Sequence, residues 1–236
     1  MTERRELAMK AIFLQAMRAN KVIDRSSVVA SEYVLARNGR RADLAILADN
    51  FIGVEIKSDF DTLYRLEEQM AVYERCFEKT VVVLAAKHLD ACLAIAPSHV
   101  EVWIIDGAGT PRMMRAGANP PAFSDEFRLN LLPITTLRKL GNLPKGTKRA
   151  DLIRACSQLP SDRISEAVKD NFRNSFEKTS SEFWEGISQR KISQTDVLNL
   201  SRYADDRLRS TNAVTERVKF WEEWNRNASS FFEMTA

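Results

Sequence analysis

Residues 40–73 read RRADLAILADNFIGVEIKSDFDTLYRLEEQMAVY, two strand-like runs followed by a helix-like one, and they decide how the rest of the chain is read. In the second run, FIGVEIK (51–57), Glu55 and Lys57 interrupt a segment that is otherwise apolar or glycine. Ionised side chains cost free energy when removed from water unless they are paired, hydrogen-bonded or metal-bound. Side chains two apart in a strand share a face, so Glu55 and Lys57 point one way and Val54 and Ile56 the other. Asp43 leads the preceding run, and the short connection Ala48-Asp49-Asn50 folds that run back beside the first. The predicted result is two carboxylates and one ammonium at a sheet edge. Hard divalent cations take oxygen ligands of this kind, with the backbone carbonyl of Ile56 as a further donor, and a nearby lysine orients water or stabilises charge on a phosphate oxygen. Two other readings stay open: Glu55 and Lys57 as an ion pair on a solvated edge, and Asp49 in place of Asp43.

The flanking sequence supplies a sheet for this edge. Leu7, Ala11, Leu14 and Met17 mark an amphipathic helix, 28–35 an extended segment, and Asn38-Gly39 a tight hairpin. Residues 42–47 and 52–57 are the next strands. Leu63, Leu66, Met70, Tyr73 and Phe77 recur at intervals of three and four, a helix expected to be capped by Asp59 or Asp61. A wholly apolar strand at 80–85, a short helix at 88–95 and a strand at 100–105 complete an α/β layer with crossovers. Glycines and prolines between Gly107 and Pro133 read as loop, and beyond them only helices are expected, at 137–140, 149–159, 162–187, 194–208 and 215–232. The predicted domains are therefore 1–123 and 124–236.

The chain has 236 residues, 44% hydrophobic and 28% charged, with a formal net charge of +3. This describes a globular protein rather than a disordered or fibrous one, and its mild basic excess suits a polyanionic partner without demanding one. Cys76, Cys92 and Cys156 are odd in number and show no CxxC spacing, which argues against a disulfide framework or zinc site and for a reducing cytoplasm. Neither a signal peptide nor a membrane span is expected. The stretch LPKGTKR (143–149) lacks the P-loop spacing, so no nucleotide cofactor is expected.

Asp43 followed by Glu55-Ile56-Lys57 on the next strand resembles the D-(x)n-E-x-K core of the PD-(D/E)XK nuclease superfamily. Glu32 matches the upstream acidic residue that many members use as an added metal ligand, and Gln69 to Tyr73 matches the Q-x-x-x-Y motif of the RecB-like branch. The longer pattern from Arg41-Ala42-Asp43 to Gln69 is also similar to a group of small bacterial and phage proteins in that superfamily. Ala42 stands where the superfamily name has proline. The match covers roughly residues 32–105 and leaves the helical half unexplained.

The resemblance implies a restriction-endonuclease-like mixed central sheet flanked by helices, followed by an all-helical C-terminal region. It implies a nuclease that hydrolyses phosphodiesters with Mg2+ or Mn2+ held by Asp43 and Glu55, with Glu32 and the Ile56 carbonyl as further ligands, and with DNA as the expected substrate. Lys57 would position the attacking water, Gln69 would support the site, and Tyr73 would pack or hydrogen-bond beside it. Arg40, Arg41 and Arg65, together with the more distant Lys145, Lys148 and Arg149, are the candidate phosphate contacts. Two rivals remain: a nucleic-acid-binding module that does not cut, and an interaction protein that docks a partner or forms a homodimer through Trp221, Trp224, Phe231 and Phe232.

Overall fold

A computed structural model describes residues 2–35, 40–117, 124–188 and 190–201. The Asn38-Gly39 hairpin, the expected boundary near residue 123, residues 202–208 of the expected 194–208 helix and the 215–232 helix lie outside the described residues. So do Trp221, Trp224, Phe231 and Phe232.

The elements follow in the order α1 (Thr2–Ala19), β1 (Val28–Val34), β2 (Arg41–Leu47), β3 (Phe51–Lys57), α2 (Leu66–Cys76), β4 (Lys79–Ala85), α3 (Leu89–Ile95), β5 (Glu101–Ile105) and β6 (Pro111–Arg115). Helices α4 (Asp125–Asn130), α5 (Ile134–Leu140), α6 (Arg149–Cys156), α7 (Ser161–Gly186) and α8 (Gln194–Asn199) come after them. The six strands form one sheet in sequence order. β1, β2 and β3 are an antiparallel meander, β3–β4 and β4–β5 are parallel, and β6 returns antiparallel. Helix α2 makes the first crossover and α3 the second, as parallel neighbours require.

Alternation along the strands divides the core between two faces. Leu44, Ile46, Val54 and Ile56 pack with Phe13, Leu14 and Met17 of α1 and with Phe183 and Trp184 of α7. On the opposite face Ala45, Leu47 and Phe51 pack with Tyr73 and Phe77, and with Leu129, Leu137, Leu152 and Phe172 from the later helices. The helices beyond residue 124 thus share their core with the sheet, and residues up to Ser201 belong to one compact unit. A sheet buried on both faces explains why the strands carry nearly continuous apolar runs. The outer edge of β1 is covered too: Ser180 Oγ accepts from the Val29 N–H at 2.8 Å and donates to the Val29 carbonyl at 2.9 Å.

Three expectations need correction, the first being the 194–208 helix, which stops at Asn199 with Leu200 as its C-cap. Helix α2 begins at Leu66, and neither Asp59 nor Asp61 caps it. Asp61 instead accepts from the Ser58 N–H at 2.8 Å, closing the turn that leaves β3. The supposed loop 107–133 contains β6 and α4. β6, PRMMR, lacks a strand-like apolar alternation and starts with proline, which an edge strand tolerates at its first position. It is fixed by pairing with β5 and by Arg115, whose guanidinium donates to the Ala96, Pro97 and Val100 carbonyls.

Cys76, Cys92 and Cys156 are free and buried, and burial pushes the Cys76 thiol up to about 12. Among the described residues, no helix is long and apolar enough to cross a membrane.

Candidate functional site

The β2–β3 register, Leu44 opposite Val54, continues by one step to put Asp43 across from Glu55. The two carboxylates therefore share a face, and Asp43 is held there by a 2.6 Å hydrogen bond from the Ile56 N–H to its Oδ2. Burial raises the Asp43 carboxyl well above its ordinary range. Glu55 adds to that shift, while Lys10 and the Ile56 N–H oppose it.

Glu55 is 2% exposed, and the chain itself supplies what its burial requires. Lys57 Nζ donates to Oε1 at 2.6 Å, Gln69 Nε2 donates to the same oxygen, and the Tyr73 hydroxyl donates to Oε2 at 2.5 Å. Gln69 and Tyr73 are four apart on α2 and reach the sheet together. The Gln69 carbonyl oxygen is buried without a hydrogen-bond partner among the described residues. Burial, with Glu55 next, raises the Tyr73 hydroxyl well above its usual value, so it donates rather than ionises.

Sequence reasoning missed two site residues, Glu6 and Lys10 of α1. Lys10 is 1% exposed, and its ammonium lies 2.6 Å from Glu6 Oε1 and 2.7 Å from Glu32 Oε1. Burial alone would lower its pKa, but Asp43, Glu6 and Glu32 raise it further than burial depresses it. Carboxylate oxygens of Glu6, Glu32 and Asp43 come within 4.8 Å of one another. The available signal was the spacing Leu7, Lys10, Leu14, Met17, which puts a lysine on the apolar face of α1, the same anomaly that Glu55 presents in β3.

Glu32 reaches this cluster through a backbone distortion. Its φ is +58°, a left-handed conformation that costs a residue with a Cβ roughly 1–3 kcal/mol. The strand changes face there: Ala30 and Tyr33 lie in the same core cluster although they are three apart. Ser31 N–H donates to the Leu200 carbonyl at 3.0 Å, which anchors the strand on one side of the distortion.

The expected basic residues separate into two groups. Arg40, Arg41 and Arg65 line a cavity of about 340 Å³ that also touches Gln69 and Tyr73. Arg40 pairs with Glu68, and Arg41 lies 3.8 Å from Glu32 Oε2. Arg149 has a structural role, donating to the Leu132 and Asn130 carbonyls at 2.9 Å each. Lys145 and Lys148 are exposed around the start of α6, and no contact among the described residues joins them to the carboxylates.

These features define a mixed α/β protein with a buried acidic and lysine-containing site between its first two helices and the sheet. The chain belongs to the family described as Bacteriophage P4 protein cII, whose model matches residues 1–201. It is 29% identical over 185 residues to "Protein cII" of Enterobacteria phage P4, covering 75% of this chain and 70% of that one. A solved protein of unknown function from Silicibacter pomeroyi aligns over 66% of this chain and 84% of its own, with 16% identity and a TM-score of 0.35. A resemblance that distant supports no argument about fold or activity.

Proposed function

We propose that this protein is a metal-dependent nuclease of the PD-(D/E)XK type, with a restriction-endonuclease-like core and DNA as its substrate. The observation that carries the reading is the juxtaposition of Asp43, Glu55 and Lys57 on neighbouring strands, with Gln69 and Tyr73 of α2 holding Glu55 and an arginine-lined cavity beside them. The left-handed Glu32 adds support, since strain of this kind persists where the surrounding structure enforces it and clusters at functional sites.

The donor set fits a hard divalent cation. It is all oxygen, its carboxylates converge, and the cluster already holds one cation, the Lys10 ammonium. Asp43, Glu32 and Glu6 would hold magnesium or manganese, with Glu55 and the Ile56 carbonyl as the further ligands expected from the sequence. A metal bound there would polarise a phosphate oxygen and supply hydroxide near neutral pH. Lys57, on the face of the sheet that carries Glu55, donates a charge-assisted hydrogen bond to the attacking water or the developing oxyanion. Gln69, through its unpartnered carbonyl oxygen, accepts from that water, while Tyr73 fixes the Glu55 carboxylate. Arg41 and Arg65 counter the charge of the substrate backbone.

A second reading has its own observation. Glu55 is engaged by three donors and the acidic cluster by Lys10, an arrangement that also suits a nucleic-acid-binding protein that does not cut. Purified protein and Glu55→Gln, incubated with end-labelled single-stranded, duplex and branched DNA and with RNA, in magnesium, manganese or chelator, separate the two. The nuclease reading expects metal-dependent cleavage that falls at least a hundredfold in the variant, with circular dichroism unchanged. Cleavage at the wild-type rate in Glu55→Gln overturns the mechanism. Binding by both proteins without cleavage of any substrate selects the second reading.

A further inference from the structure

The arginine-lined cavity continues past the site. A second cavity, of about 380 Å³, adjoins it along α2 and shares Leu35, Arg40, Glu68 and Val72 as walls. Each compartment is at the small end of the range for small-ligand pockets, roughly 300–1,000 Å³. Together they form one groove, with one end at the Gln69 and Tyr73 side chains that hold Glu55 and the other at Phe127 of α4. Its two ends differ in chemistry. The site end is lined by Arg40, Arg41 and Arg65 with Glu68 as the one acid among its walls. Arg40 pairs with Glu68, Arg41 lies 3.8 Å from Glu32 Oε2, and Arg65 makes no ion pair among the described residues. At the far end Ala71, Val72 and Phe127 are apolar, and the Arg75 guanidinium lies 4.7 Å from the centre of the Phe127 ring.

We infer that this groove binds one unpaired nucleotide of a single-stranded nucleic acid, with its phosphate at Arg41 and Arg65 and its base against Val72 and Phe127. The inference rests on the reading of the site as one that acts on nucleic acid, and it names the form of strand the site takes. An anionic group joined to a flat apolar one matches a groove that is cationic at one end and aromatic at the other. A base stacked and paired within a duplex cannot enter a recess of this volume, whereas an unpaired base has a free face to lay on an aromatic ring. Arg75 lends its guanidinium plane to the same stack.

The test is fluorescence anisotropy in chelator, where cleavage plays no part, using a labelled twelve-residue oligothymidylate and a blunt twelve-base-pair duplex. Wild type is compared with Phe127→Ala, which removes the aromatic ring, and with Ala71→Glu, which puts a carboxylate into the groove from an exposed helix position. Melting temperatures identify any variant that fails to fold. Both variants should bind the single strand about tenfold more weakly, as expected for losing one base stack, and bind the duplex within twofold of wild type. Unchanged single-strand affinity in both variants, an equal loss on the duplex, or no single-strand binding by wild type overturns the assignment. Metal-dependent cleavage that both variants retain at wild-type rate and preference removes the groove and leaves the nuclease reading standing. Weakened single-strand binding in a protein that cleaves nothing keeps the groove and removes the nuclease.

Discussion

Replacing Lys10 by methionine removes an ammonium from among three carboxylates while keeping an unbranched side chain in the α1 interface. The side chain is 1% exposed and stands 2.6 Å and 2.7 Å from Glu6 and Glu32, with Asp43 contributing to the same field. Breaking a fully buried pair by deleting one partner costs roughly 3–5 kcal/mol. Glu6 and Glu32 keep 30% and 21% of their side-chain surface, so water relieves part of the stranded charge. The expected loss is therefore about 2–3 kcal/mol in chelator, the lower side of that range. At roughly 2–4 °C per kcal/mol for a chain of this size, the melting temperature should fall by about 4–12 °C. Magnesium or manganese should then restore stability, by about 2.7 kcal/mol at a hundred times the dissociation constant. The recovery should be larger in the variant than in wild type, because in wild type the metal has to displace the Lys10 ammonium. Thermal melting of both proteins in chelator and across a metal titration gives all four values. A Lys10→Met protein that melts at or above wild type in chelator, with neither protein responding to metal, refutes the view that this cluster is a cation site.

Two further predictions address the scaffold. A Cβ added at Gly53 would lie 2.2 Å from Phe77 Cδ2, inside a ring cluster that leaves Phe77 no room to move, so Gly53→Ala should cost roughly 1–3 kcal/mol. Because Phe77 packs edge-on against Tyr73, the same variant should weaken the hold on Glu55, and cleavage measured well below the melting temperature should fall as well; full stability and activity would contradict the packing. Asp196 is held below its ordinary pKa, chiefly by its hydrogen bonds from Arg190 and then from Ser193 in the capping box of α8. A depressed carboxyl stabilises the fold above its unfolded pKa of about 3.9 and loses that contribution as pH falls through the folded value. The stability gap between wild type and Asp196→Asn in urea unfolding should thus be open at pH 7 and narrow below about pH 4; a gap independent of pH would assign the effect to geometry alone.

The residues with the clearest periodicity were legible without the fold. The short, nearly continuous apolar runs 42–47 and 52–57, joined by a turn, read as paired strands, and the two-residue repeat of a strand set Glu55 and Lys57 on one face. The spacing of Leu66, Met70 and Tyr73 gave α2, with Gln69 beside its buried stripe. Those arguments depend only on local geometry, because which side chains share a face follows from the repeat of the backbone. The misses had no such repeat. β6 is a short edge strand made by its partner, and a helix of six residues such as α4 carries too little periodicity to announce itself.

The sequence by itself determined that Glu55 and Lys57 share one face of β3 and, once buried, must be satisfied there, because a buried Glu-x-Lys has no other way to persist. The resemblance named Gln69 and Tyr73 beside the site, but only the tertiary structure decided that both hold Glu55 and which other residues join them. Gln69 and Tyr73 come from α2, and Glu6 and Lys10, more than thirty residues upstream of Asp43, from α1. Glu32 reaches the cluster through a left-handed residue that no propensity favours. Partner choice across such separations is made by packing, since α1 and α2 are brought to opposite faces of the sheet by their apolar stripes, and the polar residues they carry meet where β2 begins and β3 ends.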